Sequence, residues 1–155
     1  MSKTLKRVLL ACGLVGVCLA AGAQALPDGK VGVHYNRCDN NYEGWGLHVW
    51  KNPGIPLPGV EWANPLKPAG ASDFGVYWHM DFSEFGNSGT VNYIIHKGDT
   101  KEQGGRDMKF DGKTYKQIWV NSGDRKIYFT LDEAKKGREE KPCCCLLYTS
   151  DAADE

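Results

Sequence analysis

Residues 42–51 read YEGWGLHVWK and carry the alternation that decides the fold. Because successive side chains of an extended strand point to opposite faces, this stretch divides into two sets. One set is apolar throughout and is predicted to face the core: Trp45, Leu47 and Val49. The other set contains His48 and Trp50, and its face is either covered by a loop or exposed. Periodicity alone leaves both core packing and ligand contact open for Trp50, since an exposed aromatic row is typical of a binding surface.

Five more runs with strand character surround this stretch, and turn-forming residues separate them. The six runs together are residues 30–36, 44–51, 74–81, 90–97, 116–121 and 126–130. Five prolines between residues 52 and 68 favour a semi-rigid loop there and exclude a central strand. A body of roughly 100 residues holds one core and not two. The spacing therefore predicts an all-β chain with a single β-sandwich over residues 26–131.

The composition favours short strands over helices. Of the 155 residues, 41% are hydrophobic, 11% are aromatic and 19 are glycine, a mixture that suits strands joined by tight turns. The 19 basic residues balance the 19 acidic ones. Charge therefore gives no indication of nucleic acid or an anionic membrane surface as a partner.

Residues 1–25 have the features of a secretory signal peptide. Three basic residues lie within the first seven, an apolar stretch follows, and small residues at 23–25 provide a cleavage site. The apolar stretch of about 15 residues is shorter than the roughly 20 needed for a membrane anchor. We therefore expect an exported protein, secreted or held at the cell surface, with no membrane contact after cleavage. Lipoprotein anchoring through Cys12 is the alternative, because residues 9–12 read LLAC.

The six cysteines do not form a disulfide pattern when they are placed along the chain. Two lie in the signal peptide, three are consecutive at 143–145, and Cys38 alone lies in the body. We therefore predict no disulfide within the body. No zinc site is predicted either, because adjacent thiolates lack the spacing that lets them converge on a metal. The scattered histidines likewise indicate no metal site, and no cofactor is expected.

Residues 143–155 are expected to be foreign to the natural protein. From Cys145 the chain reads CLLYTSDAADE, which resembles the translation of a transposase sequencing adapter. The preceding residues, 132–142, are rich in Lys and Glu, and they permit either a short helix or a solvated linker. We favour a linker or the start of a next segment.

A second informative segment, residues 93–107, reads YIIHKGDTKEQGGRD. A predicted strand ends at Lys97, and a loop dense in hydrogen-bond donors and acceptors follows, which includes Glu102 and Asp107. Sugar hydroxyls require such groups, while the apolar C–H faces of sugar rings stack on indole. A solvated turn is the alternative interpretation, because loops lie at the surface.

Taken together, these segments resemble a known family. The motifs lie between about residues 31 and 130 and are VHYNR, NNYEGWGLHVW, DFGVYW, YIIHKGDTKE, GGRD and IWVNSGD. They resemble the pullulanase-associated module, the family 41 carbohydrate-binding modules found ahead of α-glucan debranching enzymes. The resemblance implies an immunoglobulin-like antiparallel β-sandwich that binds amylose, amylopectin and pullulan.

The resemblance also implies a set of site residues. Matched by position, His48 and Trp50 stack on glucose, whereas Lys97 and Glu102 form hydrogen bonds with it. Asp107, from the same loop as Glu102, completes the candidate site. His48 offers a smaller ring than the tryptophan of some members, and Glu102 replaces the usual aspartate.

The remaining positions of interest are predicted to be structural. Trp62, Trp78 and Trp119 favour the core over ligand contact, and Trp62 is the least certain of them because it lies in the proline-rich loop. Cys38 stands where proline is common in the family, which concerns a loop and not the site.

Three functions are compatible with a sandwich of this kind. The leading hypothesis is a monomeric, non-catalytic module that binds α-glucan and tethers an exported debranching enzyme to starch, amylopectin or pullulan. A protein-interaction domain is the second. A glycosidase would need two carboxylates about 5–5.5 Å apart for retention or about 6.5–9.5 Å for inversion. Asp99, Glu102 and Asp107 share one hydrophilic loop, with no apolar surroundings to raise the pKa of an acid.

Overall fold

The structure is a computed structural model that describes residues 25–142. The predicted foreign tail and almost all of the predicted signal peptide lie outside this range. Nine strands and one α-helix are present within it. They are β1 Lys30–Asn36, β2 Gly46–Lys51, β3 Ile55–Pro56, β4 Gly70–Ala71, β5 Val76–Asp81, β6 Thr90–Lys97, β7 Thr100–Lys101, β8 Met108–Asp111, β9 Gln117–Asn121 and α1 Leu131–Glu140. Short 3₁₀ turns occupy Phe82–Phe85 and Gln103–Gly105.

The strands form two sheets that pack face to face. The first sheet has the order β4-β5-β1-β9, and the second has the order β3-β2-β6-β7 with β8 also paired to β6. Strand β1 pairs with β9 in parallel, and the other strand pairs are antiparallel. The predicted all-β sandwich is confirmed, with one parallel pair that the turn pattern did not predict.

The core lies between the sheets and has the composition that the alternation predicts. Trp45, Leu47 and Val49 are buried, and Trp45 is 8% exposed. Trp78 of β5, which is 1% exposed, belongs to the same cluster. Its Nε1 donates to the carbonyl oxygen of Leu66 at 2.8 Å. This hydrogen bond fastens the proline-rich loop to the core.

The segment after residue 130 is a helix, so the preferred linker interpretation is wrong for it. The Thr130 side chain accepts a hydrogen bond from the Glu133 backbone N–H at 3.2 Å and caps the helix. Ala134 is fully buried, and its carbonyl oxygen accepts a hydrogen bond from Asn121 Nδ2 of β9 at 2.8 Å. Helix α1 therefore extends the folded module beyond residue 131.

Three further details correct the sequence interpretation. Residues 126–130 form no strand, and only Tyr128 bridges Trp119, through backbone hydrogen bonds of 2.8 and 3.0 Å. Strand β8 was not predicted, because only Phe110 of its four residues is buried. Cys38 is disulfide-bonded, although the sequence analysis gave it no bonding partner within the body. The other five cysteines lie outside the described residues.

The described residues also bear on metal binding and membrane contact. No group of three or more His, Cys, Asp or Glu side chains in that range is arranged to hold a metal ion. No helix there is long and apolar enough to cross a membrane.

Candidate functional site

The outer face of the second sheet carries a compact group of rings. The register of β2 with β6 places His48 opposite Ile94 and Trp50 opposite Asn92, while Gly46 lies opposite His96. Because these six positions share one side of the sheet, His48, Trp50 and His96 lie together on it. The core residues Leu47 and Val49 point the other way.

Trp62 from the proline-rich loop completes this group. Its indole stacks on the His96 ring with a centroid distance of 3.8 Å and an interplanar angle of 4°. It meets His48 edge-on at 5.5 Å. Trp62 is half-buried on the outside of the sheet and does not enter the core, contrary to the sequence preference. We call His48, Trp50, Trp62 and His96 the aromatic surface.

Trp50 is also half-buried, and its backbone is held in place. The Trp50 ring lies 5.6 Å from that of His48 at an angle of 40°. Asn92 Nδ2 donates to the Trp50 carbonyl oxygen at 3.2 Å and to Asn52 Oδ1 at 3.1 Å. The paired strands therefore fix the spacing of the rings before any ligand arrives, which lowers the entropy lost on binding.

The two histidines of the aromatic surface lie 6.3 Å apart. His96 is 1% exposed, and its Nδ1 donates to the Gly98 carbonyl oxygen at 2.9 Å. Burial lowers the pKa of His48, and His96 lowers it further, while a backbone hydrogen bond with Glu61 and the Asp107 carboxylate oppose the change. His48 is therefore neutral near pH 7, as stacking against an apolar ligand face requires.

Lys101, which lies between Lys97 and Glu102 in the sequence, places a positive charge near Trp62. Its Nζ is 5.0 Å from the Trp62 ring centroid, within the range of a cation–π contact. Asp107 is exposed and acts on His48 electrostatically. An ammonium and a carboxylate thus lie at the margin of the aromatic surface.

The structure places Lys97 away from the aromatic surface. Strand alternation puts its side chain on the side of Ile95, at the end of β6. The Lys97 stem lies against Gly44, because a Cβ at Gly44 would come within 3.1 Å of Lys97 Cε. The ammonium therefore lies near the loop that precedes β2.

Glu102 is placed in an internal network. Its side chain is 10% exposed. One carboxylate oxygen accepts a short hydrogen bond from the Tyr35 hydroxyl and lies 3.3 Å from Arg37 Nη1, while the other accepts from the Gly123 backbone N–H at 3.0 Å. Glu102 therefore anchors the loop after β6, which positions Lys101 over Trp62.

The arrangement suits a ligand with apolar faces and a polar rim. Indole and imidazole rings offer flat apolar contact, while Lys101 and Asp107 offer a donor and an acceptor at the margin. Periodicity placed His48 and Trp50 on this face of the sheet, and it gave no indication that Trp62, Lys101 and His96 lie beside them. The signal for Trp62 was a tryptophan in a proline-rich loop that lies outside the predicted strands.

Comparison with known proteins places the chain among polysaccharide-related proteins. A family model described as the bacterial pullanase-associated domain matches residues 29–129. An alpha-amylase of Streptomyces lividans is 38% identical over 73 residues, which are 47% of this chain and 7% of the alpha-amylase. The chain therefore spans a small part of that relative's length.

Solved structures show the same fold. One similar structure comes from the family 41 carbohydrate-binding modules of streptococcal virulence factors, which recognise alpha-glucan. It superposes with a TM-score of 0.56 at 20% identity, over 70% of this chain and 50% of its own. Klebsiella pneumoniae pullulanase complexed with maltotriose gives 0.60 at 18% identity over 79% and 12%. Because the family model covers most of the sandwich, the chain belongs to the bacterial pullanase-associated domain family.

Proposed function

We propose that this chain is a non-catalytic module that binds α-glucan such as starch, amylopectin or pullulan through the aromatic surface. The observation that carries the proposal is the convergence of Trp50, His48 and Trp62 on the outer face of the second sheet. Two similar proteins support it, since one set of modules recognises alpha-glucan and one pullulanase is complexed with maltotriose.

The mechanism is stacking with hydrogen bonds at the margin. Each glucosyl unit that covers about 50 Å² of ring surface contributes about 1 kcal/mol at roughly 25 cal/mol per Å². Several glucosyl units that stack along one glucan chain therefore contribute a binding free energy of several times about 1 kcal/mol. Lys101 and Asp107 bind hydroxyls at the rim, and Glu102 acts indirectly by holding their loop.

The proposed role of the module is to hold an enzyme close to its substrate. It tethers an exported debranching enzyme to its polysaccharide and raises the local concentration of the catalytic domain there. The module itself catalyses no reaction. The Glu102 carboxylate is engaged in hydrogen bonds with Tyr35 and Gly123, and Asp99 and Asp107 of the same loop are exposed.

The test is affinity electrophoresis of the chain in gels that contain soluble starch or pullulan. Trp50→Ala and Trp62→Ala should each weaken retardation at least about tenfold in Kd, or about 1.4 kcal/mol, while melting transitions stay near that of the parent. Tyr115→Ala is the matched control, because Tyr115 is 40% exposed and stacks on Phe129 away from the aromatic surface. It should bind as the parent does.

Cellulose and chitin gels provide the second control, and neither should retard the parent. Equal retardation by all four polysaccharides would indicate nonspecific adhesion. A folded parent that no α-glucan retards would overturn the proposal and favour the protein-interaction alternative.

A further inference from the structure

A groove of about 280 Å³ opens at the start of β2, between the segment that precedes this strand and the proline-rich loop. Its lining includes Tyr42, Trp45, Asn64, Pro65 and Lys67. This volume is close to that of the smaller ligand sites in proteins, which begin at about 300 Å³. We call it the end groove.

The floor of the end groove is held rigidly. The Arg37 guanidinium carbon lies 4.3 Å from the centroid of the Trp45 ring. Arg37 donates to both Asp39 oxygens at 2.9 and 2.6 Å and lies 3.3 Å from Glu102. The Tyr35 ring packs 5.8 Å from that of Trp45. A floor fixed in this way loses little freedom when a ligand binds.

The end groove and the aromatic surface lie on the two sides of one turn. Backbone hydrogen bonds of 3.3 and 3.1 Å between Glu61 and Asn64 close this turn. Trp62 leaves it toward His96 and His48, whereas Asn64 and the following Pro65 line the groove. A chain-like ligand that crosses the turn therefore meets both regions.

The chemistry of the end groove matches that of the aromatic surface. Tyr42, Trp45 and Pro65 supply apolar walls, and Asn64 and Lys67 place an amide and an ammonium at the rim. The stem of Lys97 lies against the lining residue Gly44. Apolar walls with hydroxyl-matching groups at the rim suit a neutral sugar ring.

We propose that the end groove binds glucosyl units of the same α-glucan chain that occupies the aromatic surface. This subsite rests on the proposed function and adds a second contact to it. Ligands too short to cross the turn use the aromatic surface alone. Longer chains use both, so chain-length preference arises in the end groove.

Isothermal titration calorimetry with maltotriose and maltoheptaose tests the subsite. The parent should bind maltoheptaose more tightly than maltotriose. The double variant Asn64→Ala with Lys67→Ala should lose about threefold or more in affinity for maltoheptaose while its affinity for maltotriose stays unchanged. Asn87→Ala with Lys135→Ala removes one amide and one ammonium at exposed positions outside the groove. This control should leave both affinities unchanged.

Two outcomes would overturn the subsite while leaving the proposed function in place. One is a groove variant that binds maltoheptaose as the parent does, and the other is a variant that weakens both sugars equally. Failure of the parent to bind either sugar would overturn the proposed function itself, and the subsite with it. Trp62→Ala separates these cases, because it should weaken both sugars.

Discussion

Two histidines on the outer face of the first sheet are packed in a way that disfavours their charged form. His34 of β1 stacks on Trp119 at 5.0 Å and 9°, and its Nε2 lies 2.8 Å from Gln117 Oε1. Burial lowers the pKa of His34, and neighbouring His79 lowers it further. Burial also lowers the pKa of His79, with a contribution from Lys30. Together with His48, three histidines resist protonation in the folded module.

This packing predicts that the module loses stability on mild acidification. A histidine whose folded pKa lies below 6.5 binds fewer protons in the folded state than in the unfolded state. Its stability contribution is full above pH 6.5 and is lost as pH falls from 6.5 to the folded pKa. The melting temperature should therefore be lower at pH 5.5 than at pH 7.5, and His79→Gln should reduce that difference.

The Asp39 carboxylate does not titrate in this pH window. Hydrogen bonds from Arg37 lower the pKa of Asp39 to about 2, so this carboxylate stays charged well below pH 5.5. Histidine titration followed by NMR provides an independent measurement and should give midpoints below 6.5 for His34, His48 and His79. Equal melting temperatures at the two pH values would contradict the prediction.

At the residue scale, strand alternation predicted which face of the sheet a side chain occupies, but it did not predict which residues that side chain contacts. It assigned Trp45 to the core and Trp50 to the outer face, because parity along a strand depends only on sequence. Glu102 and Lys97 were assigned by position in a motif, and their directions depend on a loop and a strand end. Trp62 joins the aromatic surface through a contact with His96 from a distant segment, which no local pattern encodes.

At the element scale, helix α1 packs closely against the Tyr128 ring. Gly137 faces Tyr128, and a Cβ added there would collide with the Tyr128 hydroxyl. That hydroxyl donates to Asp124 Oδ2 at 2.7 Å, so it has no room to withdraw without breaking a buried hydrogen bond. Glycine is therefore retained inside the helix although alanine favours helix formation by about 1 kcal/mol.

Gly137→Ala should destabilise the module in urea unfolding, in spite of that helix preference. Overpacking of a well-filled site costs about 1–3 kcal/mol, which exceeds the gain in propensity. Lys135→Ala, at an exposed position of the same helix, should change the free energy of unfolding by less than about 0.5 kcal/mol. Tyr128→Phe removes the hydrogen bond to Asp124 that holds the ring in place. The ring can then move away from a Cβ at position 137, so Gly137→Ala should be less costly in this background. A stabilising Gly137→Ala would show that the helix does not pack as described.

The helix illustrates why elements at the end of the chain were harder to predict than β1, β2 and β6. Only Ala134 and Gly137 are buried in it, so no apolar stripe distinguishes it from a solvated linker. The informative signal was Thr130 followed by Glu133, the spacing of a capping box. Strand β8 has the same difficulty, since one buried residue makes no alternation.

At the scale of the whole molecule, the proposed binding surface is separate from the core. The core occupies the space between the sheets, and the aromatic surface lies on the outside of β2 and β6. Strands therefore set the positions of the His48, Trp50 and His96 rings. Trp62 comes from the loop that is fastened through Leu66, and Lys101 comes from the short strand β7, which precedes Glu102. Loss of a surface ring removes ligand contact without opening a core cavity.

This separation makes the module portable, so it should act when joined to an unrelated catalytic domain. Residues 25–142 placed ahead of an amylase domain that lacks a binding module should raise hydrolysis of granular starch about twofold or more at low enzyme concentration, because tethering raises the effective concentration. Hydrolysis of maltoheptaose should not change, since a freely diffusing substrate gains nothing from tethering. The same fusion with Trp50→Ala and Trp62→Ala is the control, because it keeps the added mass and linker. An equal gain from this control, or a gain on maltoheptaose, would show that the fusion acts on the catalytic domain and not through the polysaccharide.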